Sequence, residues 1–341
     1  MPDATPAPSR RATSYDVARA AGVAQSTVSR CFREDGGISA ETRARVLSVS
    51  RELGYTPNAL ARGLITRRSD MVGVVITRYT LRGSPDVVYA IGESLKAAGK
   101  TVLLITVEAD FPPLAALRRA LEYPLDGLVS CVLFTDDDLR QLQSRRLPIV
   151  FYNRSPERIP ADWVAANHFF AAADAASALH AAGHRRFLSV GGPPTALVSR
   201  QRIDGFVTRL GSLGIAPPPV LQTDYSYAGG HAAFLAHCRS GERPDAVFCA
   251  NDQLAMAVMD ASRFTLGWRV PEDLSVVGFD DVAEAGRPTY DLTTVRQDTE
   301  EMARQAVHLL LLRLADPTAA PVTSLVPAAL IRRRSARLPG V

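Results

Sequence analysis

From Met71 onward the chain repeats one pattern, a short apolar run rich in β-branched residues followed by a helical stretch. The runs are Val72–Thr77, Thr101–Thr106, Gly127–Phe134, Pro148–Tyr152, Phe187–Gly191, Ala246–Ala250 and Leu274–Phe279. Strands that are apolar along their whole length are buried on both faces, which is the environment of a parallel sheet covered by helices. Roughly 270 residues of such alternation exceed one ordinary domain, so two α/β lobes are expected.

The first 70 residues follow a different period. Thr13 is placed to cap a helix, Asp16 supplies a negative charge to its first turn, and Val17, Ala20 and Ala21 form an apolar stripe that ends at Gly22. A second helix at about Gln25–Phe32 turns Val28 and Phe32 inward and leaves Gln25, Ser26, Ser29 and Arg30 on its outer face. Ser39 opens a third helix with Val46, Val49 and Leu53 on one side, and Gly54 stops it. Two short helices around a glycine turn make a helix-turn-helix. Pro57 then suits a helix start, but the piece through Leu64 is too short to be stable alone and should order only when something binds it. Residues 1–12 have no large apolar side chains and read as a disordered arm.

Charge separates the two regions. Residues 1–70 hold eleven arginines against seven acids, which accounts for the whole of the chain's +4 surplus. With only Lys96 and Lys100 as lysines, the positive charge is almost all guanidinium, suited to phosphates and guanine edges. The four cysteines are too widely spaced for a zinc ribbon, a redox motif or a disulfide scaffold. No 18-residue uncharged apolar stretch is present, and Met1–Arg11 lacks a signal peptide's apolar centre, so neither a membrane partner nor export is expected. There is no Gly-x-Ser-x-Gly elbow, no phosphate loop ending in Lys-Ser/Thr, and no His-Glu-x-x-His; the six histidines are scattered. The expectation is therefore no catalytic residue, no metal and no cofactor.

Specific blocks now carry a resemblance. They are Tyr15-Asp16-Val17-Ala18, Ala21-Gly22-Val23, Ser26-Thr27-Val28-Ser29-Arg30 and Leu53-Gly54-Tyr55-Thr56-Pro57-Asn58, followed by Arg202-Ile203-Asp204-Gly205-Phe206, Ala250-Asn251-Asp252, Val270–Asp281 and Leu292–Gln297. In this order the chain resembles the LacI/GalR family of transcription regulators. The resemblance implies an N-terminal all-α helix-turn-helix headpiece joined to an α/β two-lobed effector domain like periplasmic binding proteins. Its expected parts are the arm 1–12, a headpiece 13–56, a hinge helix and linker 57–70, an effector and dimerisation domain 71–335, and a tail 336–341. Lobe 1 is expected at about 71–165 and 294–320, and lobe 2 at about 166–292 and 321–335.

The resemblance implies a ligand-responsive bacterial repressor in the cytoplasm, associated with the nucleoid and binding double-stranded operator DNA as a homodimer. Two rigidly spaced headpieces multiply the discrimination that one small module supplies. Gln25 and Ser26 are the expected readers of base edges and Arg30 the partner of a guanine, with Thr27, Ser29 and Ser39 at the backbone and Tyr15 also among the DNA-binding residues; Ser39 is equally an ordinary helix cap. Leu64 is the expected minor-groove wedge on a hinge helix kept slim by Ala61, with Asn58 near the DNA backbone. A small polar effector, such as a sugar or sugar acid, is expected at the carboxyl ends of the strands, held by Asn153, Arg202, Tyr225, Asn251 and Asp280, with Tyr79 from the first lobe. For Asn251 and Asp252, turn or cap chemistry is the competing role. A transporter's solute-binding protein would need export, and a hydrolase a nucleophile; neither signal is present.

Overall fold

The computed structural model describes residues 11–32, 37–56, 69–108, 113–156 and 158–338. These fall into two compact units, one up to Ser69 and one from Asp70. Most of the expected arm, and residues 57–68 of the expected hinge, lie outside the described residues.

The first unit consists of α1 (Ser14–Ala21), α2 (Gln25–Cys31) and α3 (Ala40–Glu52). Thr13 and Asp16 cap α1 reciprocally: Asp16 N donates to Thr13 Oγ1, and Thr13 N donates to Asp16 Oδ2 at 2.9 Å. Gly22 follows at φ +65°, a left-handed turn that a side chain would strain. The core is Val17, Ala18, Ala21, Val28, Cys31 and Val46, with Phe32 against Tyr55 edge to face. Two expected inward positions differ. Ala20 is exposed and Ala18 takes its place, because the buried side of α1 centres on Ala21 and Ala20 stands about 100° round the helix from it. Leu53 ends α3 at 42% exposure.

The second unit holds two six-stranded sheets among the described residues. Its first half runs β1 (Met71–Thr77), α4 (Pro85–Ala97), β2 (Thr101–Val107), β3 (Gly127–Ser130), α5 (Asp136–Ser144), β4 (Ile149–Tyr152) and β5 (Asp162–Ala166). The second half runs α6 (His168–Ala181), β6 (Phe187–Gly191), α7 (Leu197–Ser212), β7 (Val220–Gln222), α8 (Tyr227–Arg239), β8 (Ala246–Cys249), α9 (Asp252–Asp260), β9 (Ser275–Asp280) and β10 (Thr293–Gln297). The chain closes with α10 (Thr299–Ala315), β11 (Thr323–Val326) and β12 (Ala328–Ile331).

One sheet is all parallel in the order β11-β5-β4-β3-β1-β2; the other is β12-β10-β9-β8-β6-β7, parallel except for β12. Apolar clusters cover each sheet on both faces, as continuous runs such as Val72–Ile76 require.

The lobe boundaries differ from the expectation in two places. β10, expected in the first lobe, pairs with β9 and β12 in the second, and the chain returns only at α10, whose apolar side fills the first lobe's core. β11, expected in the second lobe, pairs with β5 in the first. The chain therefore crosses between lobes after β5, after β10 and between β11 and β12. The expected tail also starts too early: Ala336 and Leu338 are buried in the second lobe, and Arg337 N donates to Ser275 Oγ. Short strands without a long apolar run, β5, β7, β11 and β12, owe their pairing to neighbours rather than to local pattern.

Candidate functional site

In the first unit, α1 and α2 are held at a fixed angle by their shared core and by Gln25 Nε2, which donates to Ser14 Oγ at 3.2 Å. Ala24, ahead of α2, makes no side-chain cap. Ser26 and Arg30 lie one turn apart and exposed, Gln25, Thr27 and Ser29 are half-buried beside them, and Tyr15 on α1 is 68% exposed. Ser39 caps α3 by accepting from Thr42 N, and remains exposed. One polar, uncapped helix thus presents side chains of the kind that read base edges. Asn58, Ala61 and Leu64 lie outside the described residues.

In the second unit a cleft of about 250 Å³ opens where the carboxyl ends of the two sheets face each other. It is lined by Asn153, Arg202, Tyr225, Asn251 and Asp280, five residues expected from the sequence. Tyr79 lies in the short helix Arg78–Gly83, and its side chain is outside the described residues.

Four residues that line this cleft, Asn153, Arg202, Asp280 and Gln297, are joined through the buried His168 into a closed circuit. Arg202 Nη2 meets Asp280 Oδ1 at 2.9 Å, and Arg202 Nε donates to His168 Nδ1 at 3.3 Å. His168 Nε2 then bonds Asn153 Oδ1 at 3.1 Å, and Asn153 Nδ2 donates to Gln297 Oε1 at 2.9 Å. Gln297 Nε2 donates to Asp280 Oδ1 at 2.7 Å and closes the loop. Arg202 has no acceptor of its own, so His168 Nδ1 must be unprotonated and Nε2 must carry the hydrogen. Burial, reinforced by Arg202 and Arg154, holds the His168 pKa well below the usual histidine value and keeps the ring in that neutral form.

Asn153 belongs to the first lobe, Arg202 and Asp280 to the second, and His168 and Gln297 stand at two of the crossings between them. The circuit therefore ties together both lobes and their hinge. Arg202 also donates to Ala250 O at 2.6 Å and lies 3.8 Å above the Phe279 ring, so all three of its nitrogens are engaged.

Backbone conformation marks the same place. Asn153 (φ +52°), Tyr225 (φ +67°), Asp280 (φ +121°) and Asp281 (φ +56°) are held in a region that costs a side-chain-bearing residue about 1–3 kcal/mol, and such positions cluster at binding sites. Tyr225 lies flat over Gly192, where an added Cβ would stand 2.2 Å from the phenol carbon Cζ. Asn251 lines the cleft, and its Oδ1 caps α9 by accepting from Leu254 N, the competing cap role. Asp252 does not line the cleft. It is buried, accepts from Val282 N and Thr294 Oγ1, and burial pushes its pKa up to about 7. Gln297 and Arg154, which line the cleft, and the buried His168 are the site residues that the sequence reading did not mark. Gln297 ends the Leu292–Gln297 block, whereas His168 and Arg154 gain meaning only from the pairing that brings β4, α6 and α7 together.

Comparison with known proteins divides the chain in the same way. Residues 13–58 match the model of bacterial regulatory proteins of the lacI family, and residues 176–336 match a periplasmic binding protein-like domain. The HTH-type transcriptional regulator CelR of Thermobifida fusca is 32% identical over 337 residues, covering 96% of this chain and 98% of its own. The solved lac repressor dimer bound to operator and the anti-inducer ONPF superposes with a TM-score of 0.87 at 29% identity, covering 96% of this chain and 99% of that one. A CelR–cellobiose complex superposes with a TM-score of 0.72 at 30% identity, covering 96% and 100%.

Proposed function

Because the chain belongs to the lacI family of bacterial regulatory proteins, we propose that it is a ligand-responsive repressor: two copies bind a pseudo-palindromic operator, and a small polar metabolite in the cleft changes that affinity. The observation that carries this reading is the Asp280–Arg202–His168–Asn153–Gln297 circuit, which links residues lining the cleft to the hinge between the lobes. A ligand that binds one arrangement of the lobes better than another shifts the equilibrium by that difference in affinity.

The cleft suits binding rather than turnover. His168 is buried and held neutral with both nitrogens engaged, and burial pushes the Cys131 thiol up to about 12, where it is no nucleophile at neutral pH. Gln25, Ser26 and Arg30 are assigned to base edges, Thr27, Ser29 and Ser39 to the phosphate backbone, and Tyr15 to the DNA-facing surface. Asn58, Ala61 and Leu64 are assigned to the DNA side of the hinge.

Dimerisation has support on the first lobe. The register Val72 with Val102 and Val74 with Leu104 puts Val102 and Leu104 of edge strand β2 on the sheet face covered by α4, yet they are 37% and 44% exposed. Tyr89 on α4 adds a ring that is 72% exposed. An unpaired apolar edge of this kind is the surface a second copy would cover. The test is selection of duplexes from a random pool by the full chain. An inverted repeat should be enriched, with affinity that falls steeply as salt rises; enrichment of unpaired half-sites only would reject the dimeric reading.

A further inference from the structure

Resting on that reading of the cleft, we infer that the effector carries a negatively charged group on a monosaccharide-sized body, and that Arg154 is the residue that selects it. Among the described residues three charged side chains line the cleft, namely Arg154, Arg202 and Asp280. Arg202 and Asp280 face each other at 2.9 Å and cancel, and Arg202 has no nitrogen left unengaged. Arg154 is different. A guanidinium carries about five N–H donors, and here only Nη1 is used, donating to Asn153 O at 2.8 Å. No ion pair to Arg154 is present among the described residues, and its charge acts on Cys131, His168 and Tyr225.

Among the described residues the cleft therefore holds one uncompensated positive charge. The opposite wall adds to it: Thr195, Ala196, Leu197 and Val198 line the cleft at the start of α7, whose first turn has neither a side-chain cap nor an acid. The rest of the lining offers neutral partners for hydroxyls, among them Thr80, Ser84 and Asn251. A cleft of about 250 Å³ holds roughly eight waters' worth of ligand, which fits one sugar ring with one anionic group. A neutral ligand there would leave Arg154 desolvated and unpaired, an arrangement that selects against it.

The test is calorimetric titration of the full chain with matched sets: D-glucose, D-glucuronate and D-glucose 6-phosphate; D-galactose and D-galacturonate; D-ribose and D-ribose 5-phosphate. A carboxylate or a phosphate member should bind, with its neutral parent at least roughly 30-fold weaker; which of the two binds identifies the anion. Arg154→Gln should abolish the preference and Arg154→Lys should retain part of it, with unliganded melting temperatures checking that both variants are folded. The inference is overturned if neutral parents bind as tightly as their anions, if Arg154→Gln keeps the preference, or if no anionic member binds. A neutral sugar that changes operator affinity would overturn the charge selectivity and leave the ligand-responsive reading standing. An anion bound through Arg154 without any effect on operator affinity would do the reverse.

Discussion

Replacing His168 by Phe removes one member of the hinge circuit while keeping a ring of similar size against Phe279, whose centroid lies 5.6 Å away. Two hydrogen bonds disappear. Asn153 Oδ1 keeps a second donor in Ala166 N at 3.2 Å, but Arg202 Nε is left without its acceptor in a residue that is 4% exposed. A lost hydrogen bond to a charged group costs about 1.5–3 kcal/mol, and relief of the buried imidazole offsets part of it, so a loss of about 2 kcal/mol is expected at pH 8.

The gap should also depend on pH. The folded-state pKa of His168 lies well below that of the unfolded chain, so on acidification through about pH 6.5 the unfolded state takes up a proton that the folded state refuses. Wild-type stability then falls by up to about 1.4 kcal/mol per pH unit, and the Phe variant lacks this contribution. His184 is depressed in the same direction, but it is common to both proteins and cancels. Urea denaturation followed by tryptophan fluorescence measures the gap, since Trp163 lies in β5 of the first lobe and Trp268 packs against the core of the second. A gap under about 0.5 kcal/mol at pH 8, or one that stays constant down to pH 5.5, would refute the reasoning about the circuit.

Asp252→Asn should gain on the wild type between pH 5 and 8, because the folded carboxyl, at about 7, holds a proton that the unfolded chain has already released; denaturation midpoints at the two pH values check the sign. Gly205→Ala should lower the melting temperature, at a cost of about 1–3 kcal/mol, since its Cβ would stand 2.1 Å from the backbone oxygen of Phe169 where α6 meets α7. Gly211→Ala on the same helix has nothing within 4 Å and should raise it. Arg30→Ala should weaken binding to a selected operator by about 1–3 kcal/mol and relax one base position per half-site, as read by competition among single-base variants.

Much of this architecture was legible in the residues. Continuous apolar runs specified the parallel strands, and Thr13, Gly22 and Ser39 marked helix ends that the structure places within a residue of the expectation. Assigning strands to lobes was harder, because β10 and β11 are short and their sheet depends on where the chain crosses, which no local pattern encodes. In the cleft, the family resemblance pointed to Arg202 and Asp280 but not to their mutual engagement. The difference between a paired and an unpaired arginine, Arg202 against Arg154, is a matter of three-dimensional neighbours. Asp252 illustrates the same point from the other side: its side chain is spent on Val282 and Thr294 instead of on a ligand.

The most direct test of the account is operator affinity, read by fluorescence anisotropy of a selected duplex, for the wild type and for Asp280→Ala across the sugar, sugar-acid and sugar-phosphate sets. The account predicts that a compound which stabilises the wild-type protein against heat also shifts its operator affinity by roughly 5–150-fold, the usual range of coupling between two sites. Both effects should vanish together in Asp280→Ala. A compound that stabilises the wild type and leaves operator affinity unchanged would contradict it.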